Sequence, residues 1–153
     1  MDDFEKNRQS WNRMTSVHFR SCFYNYTGFK GGESSLKEIE LAELGDVSGK
    51  SLLHLQCHFG LDTLSFARMG AHVTGIDISD ESIRQAKAIS QELQIDGRFI
   101  RANILELDRT PVKMPLDQYD IVYSSYGAIN WLDNLEQWAK IIKTFLKPGG
   151  IFY

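Results

Sequence analysis

The chain has 153 residues, of which 42% are hydrophobic and 24% are charged, and these fractions are typical of a globular domain with its own core. Its formal net charge of -3 at pH 7 provides no basic excess for nucleic acid or an anionic membrane, so neither partner is expected. Two cysteines make no disulfide framework, and neither a signal peptide nor an apolar run of ~18 residues is present. We therefore expect a cytoplasmic protein.

Residues 1–45 differ from the rest of the chain because they are rich in aromatic side chains and carry no strand pattern. Helical spacing follows at Leu36, Ile39, Leu41 and Leu44, and it ends at Gly45. Aromatic residues at this density are rarely left exposed to water. The segment is predicted to be a helical, aromatic cap.

From residue 46 onward, short apolar runs alternate with helical patterns. The predicted strands, in chain order, are 51–56, 71–76, 98–102, 119–124 and a fifth that begins at Ile151. The predicted helices are 61–69, 79–93 and 135–145, and Pro111 and Pro115 bracket a loop. This alternation predicts an α/β fold with a Rossmann-like, doubly wound, mostly parallel sheet over residues 46–153. Because the chain ends on an apolar run that has just entered the sheet, we expect the sheet to be truncated within its fifth strand.

Polar residues and a glycine follow the predicted strands where such sheets bind ligands, at the carboxyl ends of the strands. The first turn, Gln56 to Gly60, would direct backbone N–H groups at a ligand, and Gly60 would permit close approach. Asp77 ends the second strand, 17 residues after Gly60, where a carboxylate can accept hydrogen bonds from both hydroxyls of a ribose. The alternative is that Asp77 only supports the start of the following helix at Ser79.

Two further strand ends carry candidate ligand contacts. Asn103 follows the third strand, and its amide could pair with the edge of an adenine ring. An ordinary turn asparagine is the equal alternative. Ser124 and Ser125 end the fourth strand and would face the same cleft, unless they only satisfy backbone groups there.

Taken in order, four segments resemble the motifs of class I S-adenosylmethionine-dependent methyltransferases. They are Leu-Leu-His-Leu-Gln-Cys-His-Phe-Gly at 52–60, Gly-Ala-His-Val-Thr-Gly-Ile-Asp-Ile-Ser at 70–79, Tyr-Asp-Ile-Val-Tyr-Ser at 119–124 and Leu-Lys-Pro-Gly-Gly at 146–150. The resemblance implies transfer of a methyl group from S-adenosylmethionine to an acceptor, with S-adenosylhomocysteine as the product. The loop at 52–60 is similar to that of an uncharacterised subgroup, because His54 replaces the usual acidic residue and only Gly60 remains of three glycines.

The resemblance also implies a set of cofactor contacts. The turn after the first strand would wrap the methionine part of the cofactor, and the acidic residue at the end of the second strand would bind its ribose. The turn after the third strand would bracket the adenine, and the end of the fourth strand would face the methyl group. By position, these residues are Gln56, Cys57, His58, Gly60, Asp77, Ile78, Asn103, Ile104 and Ser124. Gln56 and His58, which replace glycines, would contact the cofactor through their side chains.

The N-terminal segment is similar to the lid that precedes the core in many of these enzymes. Trp11 and Tyr24 in this lid, and Tyr126, Asn130 and Trp131 after the fourth strand, are expected to line the acceptor side. Packing of a terminal helix is the alternative for the two lid residues. The acceptor is expected to be a small molecule.

Other chemistries find less support in the sequence. His54, Cys57 and His58 lack the spacing of a metal site, so no metal is expected, and Cys57 has no evident base to make it a nucleophile. His18 and Tyr126 are possible acid or base groups, but an isolated histidine is more often structural. Methyl transfer depends mainly on alignment, and no catalytic residue can be named.

Two other functions stay open. An NAD-dependent oxidoreductase would require Gly-x-Gly-x-x-Gly in the first turn, which is absent. A non-catalytic Rossmann-like module that binds the cofactor or a partner is favoured by the missing glycines, and an exposed sheet edge could lead to self-association.

Overall fold

The computed structural model describes residues 3–109, 114 and 118–153. Pro111 and Pro115, which bracket the predicted loop, lie outside the described residues. The strands are β1 Ser51–Leu55, β2 His72–Asp77, β3 Arg98–Arg101, β4 Tyr119–Ser124 and β5 Leu146–Phe152. The helices are α1 Asp3–Phe19, α2 Tyr26–Lys30, α3 Glu38–Leu44, α4 Leu61–Arg68, α5 Asp80–Leu93 and α6 Leu135–Phe145, with short 3₁₀ turns at Ile104–Glu106 and Ile129–Trp131.

The strands form one parallel sheet in the order β3-β2-β1-β4-β5. β1 lies at the centre, where Leu53 pairs with Thr74 of β2 on one side and Val122 of β4 on the other. The chain therefore adds β2 and β3 on one side of β1 and then adds β4 and β5 on the other side. This confirms the predicted doubly wound α/β fold and sets the topological switch point between β1 and β4.

Helices cover both faces of the sheet. Alternate β1 side chains serve opposite faces: Leu53 and Leu55 join the core under α6, whereas Leu52 packs with Phe66 of α4 on the other face. α5 buries the predicted stripe of Ile83, Ala86 and Ile89, and α6 buries Ile141, Ile142 and Phe145. Burial on both faces explains why the central strands β1 and β4 are mostly apolar.

β5 begins earlier than the sequence pattern predicts. The predicted strand starts at Ile151, but the observed one starts at Leu146 and includes the Lys-Pro-Gly-Gly run. The pairing with β4 shifts register between Tyr119 and Ile121, where Pro148 lacks an N–H to donate and Gly149 has a positive φ of 78°. The Lys-Pro-Gly-Gly run is thus part of strand β5, where the pairing with β4 is irregular.

Helices do form within residues 1–45, as predicted. α1 packs against α5, and the α3 region inserts Leu36 and Leu44 into a core cluster on the α4 face. No helix among the described residues has both the length and the apolar character needed to cross a bilayer.

Candidate functional site at the carboxyl ends of the strands

The loop after β1 has the backbone of a glycine-rich turn although it contains a single glycine. Gln56, His58 and Gly60 all adopt left-handed conformations, with φ values of 57°, 51° and 78°. For the two non-glycine residues this conformation costs about 1–2 kcal/mol each. Side-chain contacts offset the cost, because Gln56 Nε2 donates to the Ala128 carbonyl at 2.8 Å and His58 Nδ1 lies 2.9 Å from Ser82 Oγ.

Gly60 is required by packing inside the protein. A Cβ atom on this residue would lie 2.7 Å from the Phe99 ring and 3.2 Å from Cβ of Ala86. Close approach of helix α4 to the sheet therefore depends on this glycine.

Asp77 lies directly against this loop, at the end of β2. One carboxylate oxygen accepts from the backbone N–H of His58 and the other from that of Ser79, both at 2.8 Å. Burial raises the pKa of Asp77 to about 6, although the backbone N–H donors oppose the shift. The carboxylate thus supports the start of α5, as the alternative interpretation held. Each oxygen can still accept a second hydrogen bond, so ribose binding stays a prediction.

Helix α1 covers this end of β2 through polar contacts. Asn12 Oδ1 accepts from Ser79 Oγ at 2.7 Å and from the Glu81 N–H at 3.2 Å. Thr15 Oγ1 lies 2.7 Å from Ser82 Oγ, and Arg8 forms an ion pair with Asp80. The region where a ribose is predicted to bind is therefore under α1 in this structure.

An aromatic cluster joins α1 to the loops after β1 and β4. The Trp11 ring lies 5.5 Å from His58 and 5.1 Å from Trp131 between centroids, and Tyr24 lies 5.4 Å from His58. His18 contacts the same group, with its Nδ1 atom 3.1 Å from His58 Nε2. The structure thus brings together three of the predicted acceptor-lining residues, and it pairs His18, which sequence reasoning treated as isolated, with His58.

The remaining predicted site residues are more dispersed. Tyr126 is exposed, with the Lys37 ammonium 4.0 Å over its ring, and Asn130 is exposed on a 3₁₀ turn. Asn103 Oδ1 accepts from the Leu105 N–H at 3.1 Å, which is the local turn role given as its alternative, and Ile104 is a core residue. The Ile78 and Ser124 side chains are half-buried at the ends of β2 and β4.

The hydrogen-bond partners of two buried polar residues below the loop, His54 and Tyr123, were not predicted from the sequence. His54 is fully enclosed between Thr63, 2.8 Å from Nδ1, and Ser125, 3.3 Å from Nε2, and burial lowers its pKa to about 3. Tyr123 donates to Glu40 at 2.6 Å. Ser125 and Glu40 lie 71 and 83 residues away from their partners along the chain, so no local sequence pattern revealed these contacts.

Burial also decides the state of the Cys57 thiol. It raises the pKa of Cys57 well above the usual value, with a further contribution from Asp77, so the thiol stays protonated. Among the described residues, no three His, Cys, Asp or Glu side chains are grouped closely enough to hold a metal ion.

The side-chain oxygen of Gln56, at this end of the sheet, lacks a partner among the described residues. Gln56 Oε1 is buried without a hydrogen bond from any described residue, while the Nε2 atom of the same amide is bonded. A buried acceptor of this kind costs free energy unless a donor reaches it. A ligand with an N–H group would supply that donor.

A parallel sheet of this strand order, with a glycine-type turn next to an acidic residue, is typical of Rossmann-like folds that bind nucleotides or nucleoside cofactors. Comparison with known proteins identifies the family. Residues 52–150 match the methyltransferase domain family, so the chain belongs to that family.

The relatives support this assignment. A ubiquinone biosynthesis O-methyltransferase of Aeromonas salmonicida is 31% identical over 110 residues, which is 69% of this chain and 42% of that protein. A solved S-adenosylmethionine dependent methyltransferase from Mesorhizobium loti has a TM-score of 0.61 and 27% identity, over 72% of this chain and 48% of its own. A structure from Methanococcus maripaludis has the same fold at a TM-score of 0.71 and 12% identity, over 95% of this chain and 62% of its own. The chain spans less than half the length of the curated relatives it matches.

Proposed function

We propose that this chain binds S-adenosylmethionine at the carboxyl edge of its sheet and that its site transfers the methyl group to a small-molecule acceptor, with S-adenosylhomocysteine as the product. The observation that carries the proposal is that positions 56, 58 and 60 share the left-handed backbone of a glycine loop directly against the Asp77 carboxylate. The family match and the name of the Mesorhizobium loti neighbour support the same cofactor.

The residues present fit this cofactor. Its methionine part carries an ammonium group, and Gln56 Oε1 is a buried acceptor that needs a donor. We propose that residues 56–60 bind the methionine part, that Asp77 and Ile78 bind the ribose, that Asn103 and Ile104 flank the adenine, and that Ser124 faces the methyl group. When bound, the cofactor supplies a methyl group on a positively charged sulfonium, which a nucleophile attacks in line.

The chain's own residues would act mainly by alignment and by excluding water. Asn12 and Thr15 hold α1 over the predicted ribose site, so we propose that α1 opens for the cofactor and then closes over it. In this proposal residues 1–45 form the lid, and Trp11, Tyr24 and Trp131 form the wall of the acceptor pocket.

A small acceptor agrees with the names of similar proteins. The Aeromonas salmonicida relative is named for ubiquinone biosynthesis, and a neighbouring structure from Streptomyces coelicolor is a geranyl diphosphate C-methyltransferase. The net charge of -3 disfavours nucleic acid as the acceptor. A cytoplasmic location, and self-association through the exposed Ile151 and Phe152 of β5, remain predictions.

Calorimetric titration of the chain with S-adenosylmethionine, S-adenosylhomocysteine and NAD tests the proposal. We expect micromolar binding of the two adenosyl ligands, weakened about tenfold or more in Asp77→Asn, because a charge-assisted hydrogen bond is worth about 1.5–3 kcal/mol. Asp96→Asn, exposed at the opposite end of the sheet, is the matched control and should bind like the parent chain. Thermal unfolding of each variant separates lost binding from lost folding, since Asp77 also supports the backbone.

The other outcomes favour the competing functions. A folded chain that binds neither adenosyl ligand would favour a non-catalytic module. This is the second candidate function because α1 covers the predicted ribose site and two glycines of the loop are replaced. Tight binding of NAD would instead indicate an oxidoreductase.

A further inference from the structure

A continuous series of hydrogen bonds runs from the backbone of α1, through α5, to the two histidines. Its first member is Thr15, whose hydroxyl donates to the Trp11 carbonyl at 2.7 Å. A hydroxyl has a single hydrogen, so Thr15 can act only as an acceptor toward its other neighbours. Ser82 Oγ lies 2.7 Å from Thr15 Oγ1 and must therefore be the donor in that pair.

This direction determines the protonation of His58. Because the Ser82 hydrogen is given to Thr15, Ser82 Oγ accepts from His58 Nδ1 at 2.9 Å. His58 then holds its hydrogen on Nδ1. Burial, together with the charge of His18, lowers the pKa of His58 to about 3, so the ring stays neutral and its Nε2 atom carries only a lone pair.

The same reasoning extends to His18. His18 Nδ1 lies 3.1 Å from His58 Nε2, and since that atom is an acceptor, the hydrogen of the pair belongs to His18 Nδ1. The Tyr24 hydroxyl oxygen, 3.4 Å from the same nitrogen, is a second and weaker acceptor. A neutral His18 therefore has its lone pair on Nε2, which has no hydrogen-bond partner in the part of the chain that the structure describes.

The His18 ring lies among flat apolar surfaces. It stacks on Tyr24 at 5.3 Å and 29°, and it makes an edge-to-face contact with Trp11 at 6.0 Å, while Trp11 in turn contacts Trp131 at 5.1 Å. His18 itself is only partly buried, so a ligand can reach it. A planar aromatic molecule suits such surroundings because rings pack favourably edge to face and offset.

We propose that His18 is the general base for the acceptor and that the acceptor is a planar aromatic molecule with a phenolic or enolic hydroxyl. This inference rests on the proposed function and specifies its substrate class. His58, Ser82 and Thr15 are positioning residues that hold the lone pair of His18 on Nε2.

The proposed step is balanced. The acceptor O–H bond breaks as its proton moves to His18 Nε2, and the oxygen forms a bond to the methyl carbon. The electron pair of the broken carbon–sulfur bond stays on sulfur, and His18 later releases its proton to solvent. A phenolic hydroxyl is acidic enough for an imidazole base, whereas an aliphatic alcohol is far less so.

Several ionisable groups surround the pair of histidines. His58 and Tyr24 face His18 directly. The Asp77 carboxylate accepts from the His58 N–H, and the Arg8–Asp80 ion pair lies at the contact of α1 with α5. Variants at His18 and Ser82 leave these charges in place.

Long-range ¹H–¹⁵N NMR of the imidazoles tests the hydrogen-bond series on the chain alone. We expect both His18 and His58 to carry hydrogen on Nδ1 at neutral pH, and His58 to stay neutral at pH 5. Ser82→Ala should remove this preference at both rings, whereas Ser90→Ala on the same helix should preserve it. A His18 ring with hydrogen on Nε2 in the parent chain would overturn the proposal.

Titration with 4-nitrophenol, followed by the absorbance of its phenolate, tests proton transfer. The parent chain should bind the probe with a rise in phenolate at pH 6, and His18→Gln should lose that rise while it still binds S-adenosylhomocysteine. His72→Gln, an exposed histidine at the start of β2, is the control. An unchanged phenolate rise in His18→Gln would overturn the role of His18.

Turnover with phenolic acceptors completes the test. We expect His18→Gln to lower kcat about 10²-fold or more, with KM changed little, and to flatten the rise of kcat with pH. Failure of the parent chain to bind S-adenosylhomocysteine would refute the proposed function. Intact binding together with an unaltered pH profile in His18→Gln would refute this inference alone.

Discussion

Helices α1 and α3 both belong to the N-terminal segment, but they are attached to the core by different interactions. α1 has a single buried residue, Thr15. Besides the partly buried ring contacts of Trp11 and Phe19, it is held by hydroxyl, amide and ion-pair contacts with α5. The α3 region inserts Leu36 and Leu44 into the core, and Glu40 accepts from the buried Tyr123 hydroxyl.

This difference predicts which helix can move. Polar contacts exchange for contacts with water on separation, so each contributes only about 0.5–1.5 kcal/mol net. Buried leucine side chains gain no compensating contacts with water on separation, and exposing each one costs about 1.5–3 kcal/mol. α1 is therefore suited to open over a ligand, whereas α3 is a fixed part of the wall.

The largest expected effect comes from the apolar attachment of α3. Leu44→Ala should lower the free energy of unfolding by about 3 kcal/mol, because Leu44 is 6% exposed and its loss leaves a cavity. Leu41→Ala on the same helix is the control, since Leu41 is 37% exposed, and it should cost less than 1 kcal/mol. Urea unfolding measures both, and equal losses would contradict a fixed α3.

An intermediate effect is expected from Asp62, which connects α4 to the segment before α3. Its carboxylate accepts from Ser35 Oγ at 2.6 Å, and burial raises its pKa from 3.8 to about 6. The folded state thus binds more protons than the unfolded state between these values, so Asp62 lowers stability as the pH rises from about 4 to 6.

Asp62→Asn keeps an acceptor for Ser35 and removes this titration. Relative to the parent chain, the variant should gain about 2 kcal/mol of stability between pH 4 and pH 7, since the rise of the Asp62 pKa from 3.8 to about 6 is worth about 1.4 kcal/mol per unit and a small part of it is already expressed at pH 4. Urea unfolding at the two pH values measures the gain. A difference between variant and parent that does not change with pH would contradict the burial of this carboxyl.

The smallest effect on global stability is expected at α1. Asn12→Ala removes the hydrogen bonds to Ser79, to the Glu81 N–H and to Asp80. We expect about 1 kcal/mol or less in global unfolding, but about fivefold faster hydrogen exchange of the α1 amides, because the helix separates before the core unfolds. Asn7→Ala, on the same helix but outside these contacts, should leave exchange unchanged. Slower hydrogen exchange of the α1 amides than of the α3 amides would contradict the conclusion that α1 is the more mobile helix.

The core of the fold could be predicted because its pattern is local. The apolar runs gave β1 to within one residue of Ser51–Leu55, and the alternation with helices gave a parallel, doubly wound sheet. The same logic located Asp77 and the turn at 56–60 at neighbouring strand ends, where the structure joins them by a 2.8 Å hydrogen bond. β5 was predicted less well, because Pro148 and the following glycines are turn residues in most contexts.

By itself, the sequence determined the strands, the helices, the order of the motifs and hence the edge of the sheet that carries the site, because each depends on residues that are near one another in the chain. Only the tertiary structure decided that His18 meets His58, 40 residues away, and that Tyr123 meets Glu40, 83 residues away. Such pairs depend on how α1 and α3 pack on the sheet. Which atom donates in each hydrogen bond then depends on all the groups of the connected network, and no single position in the sequence determines it.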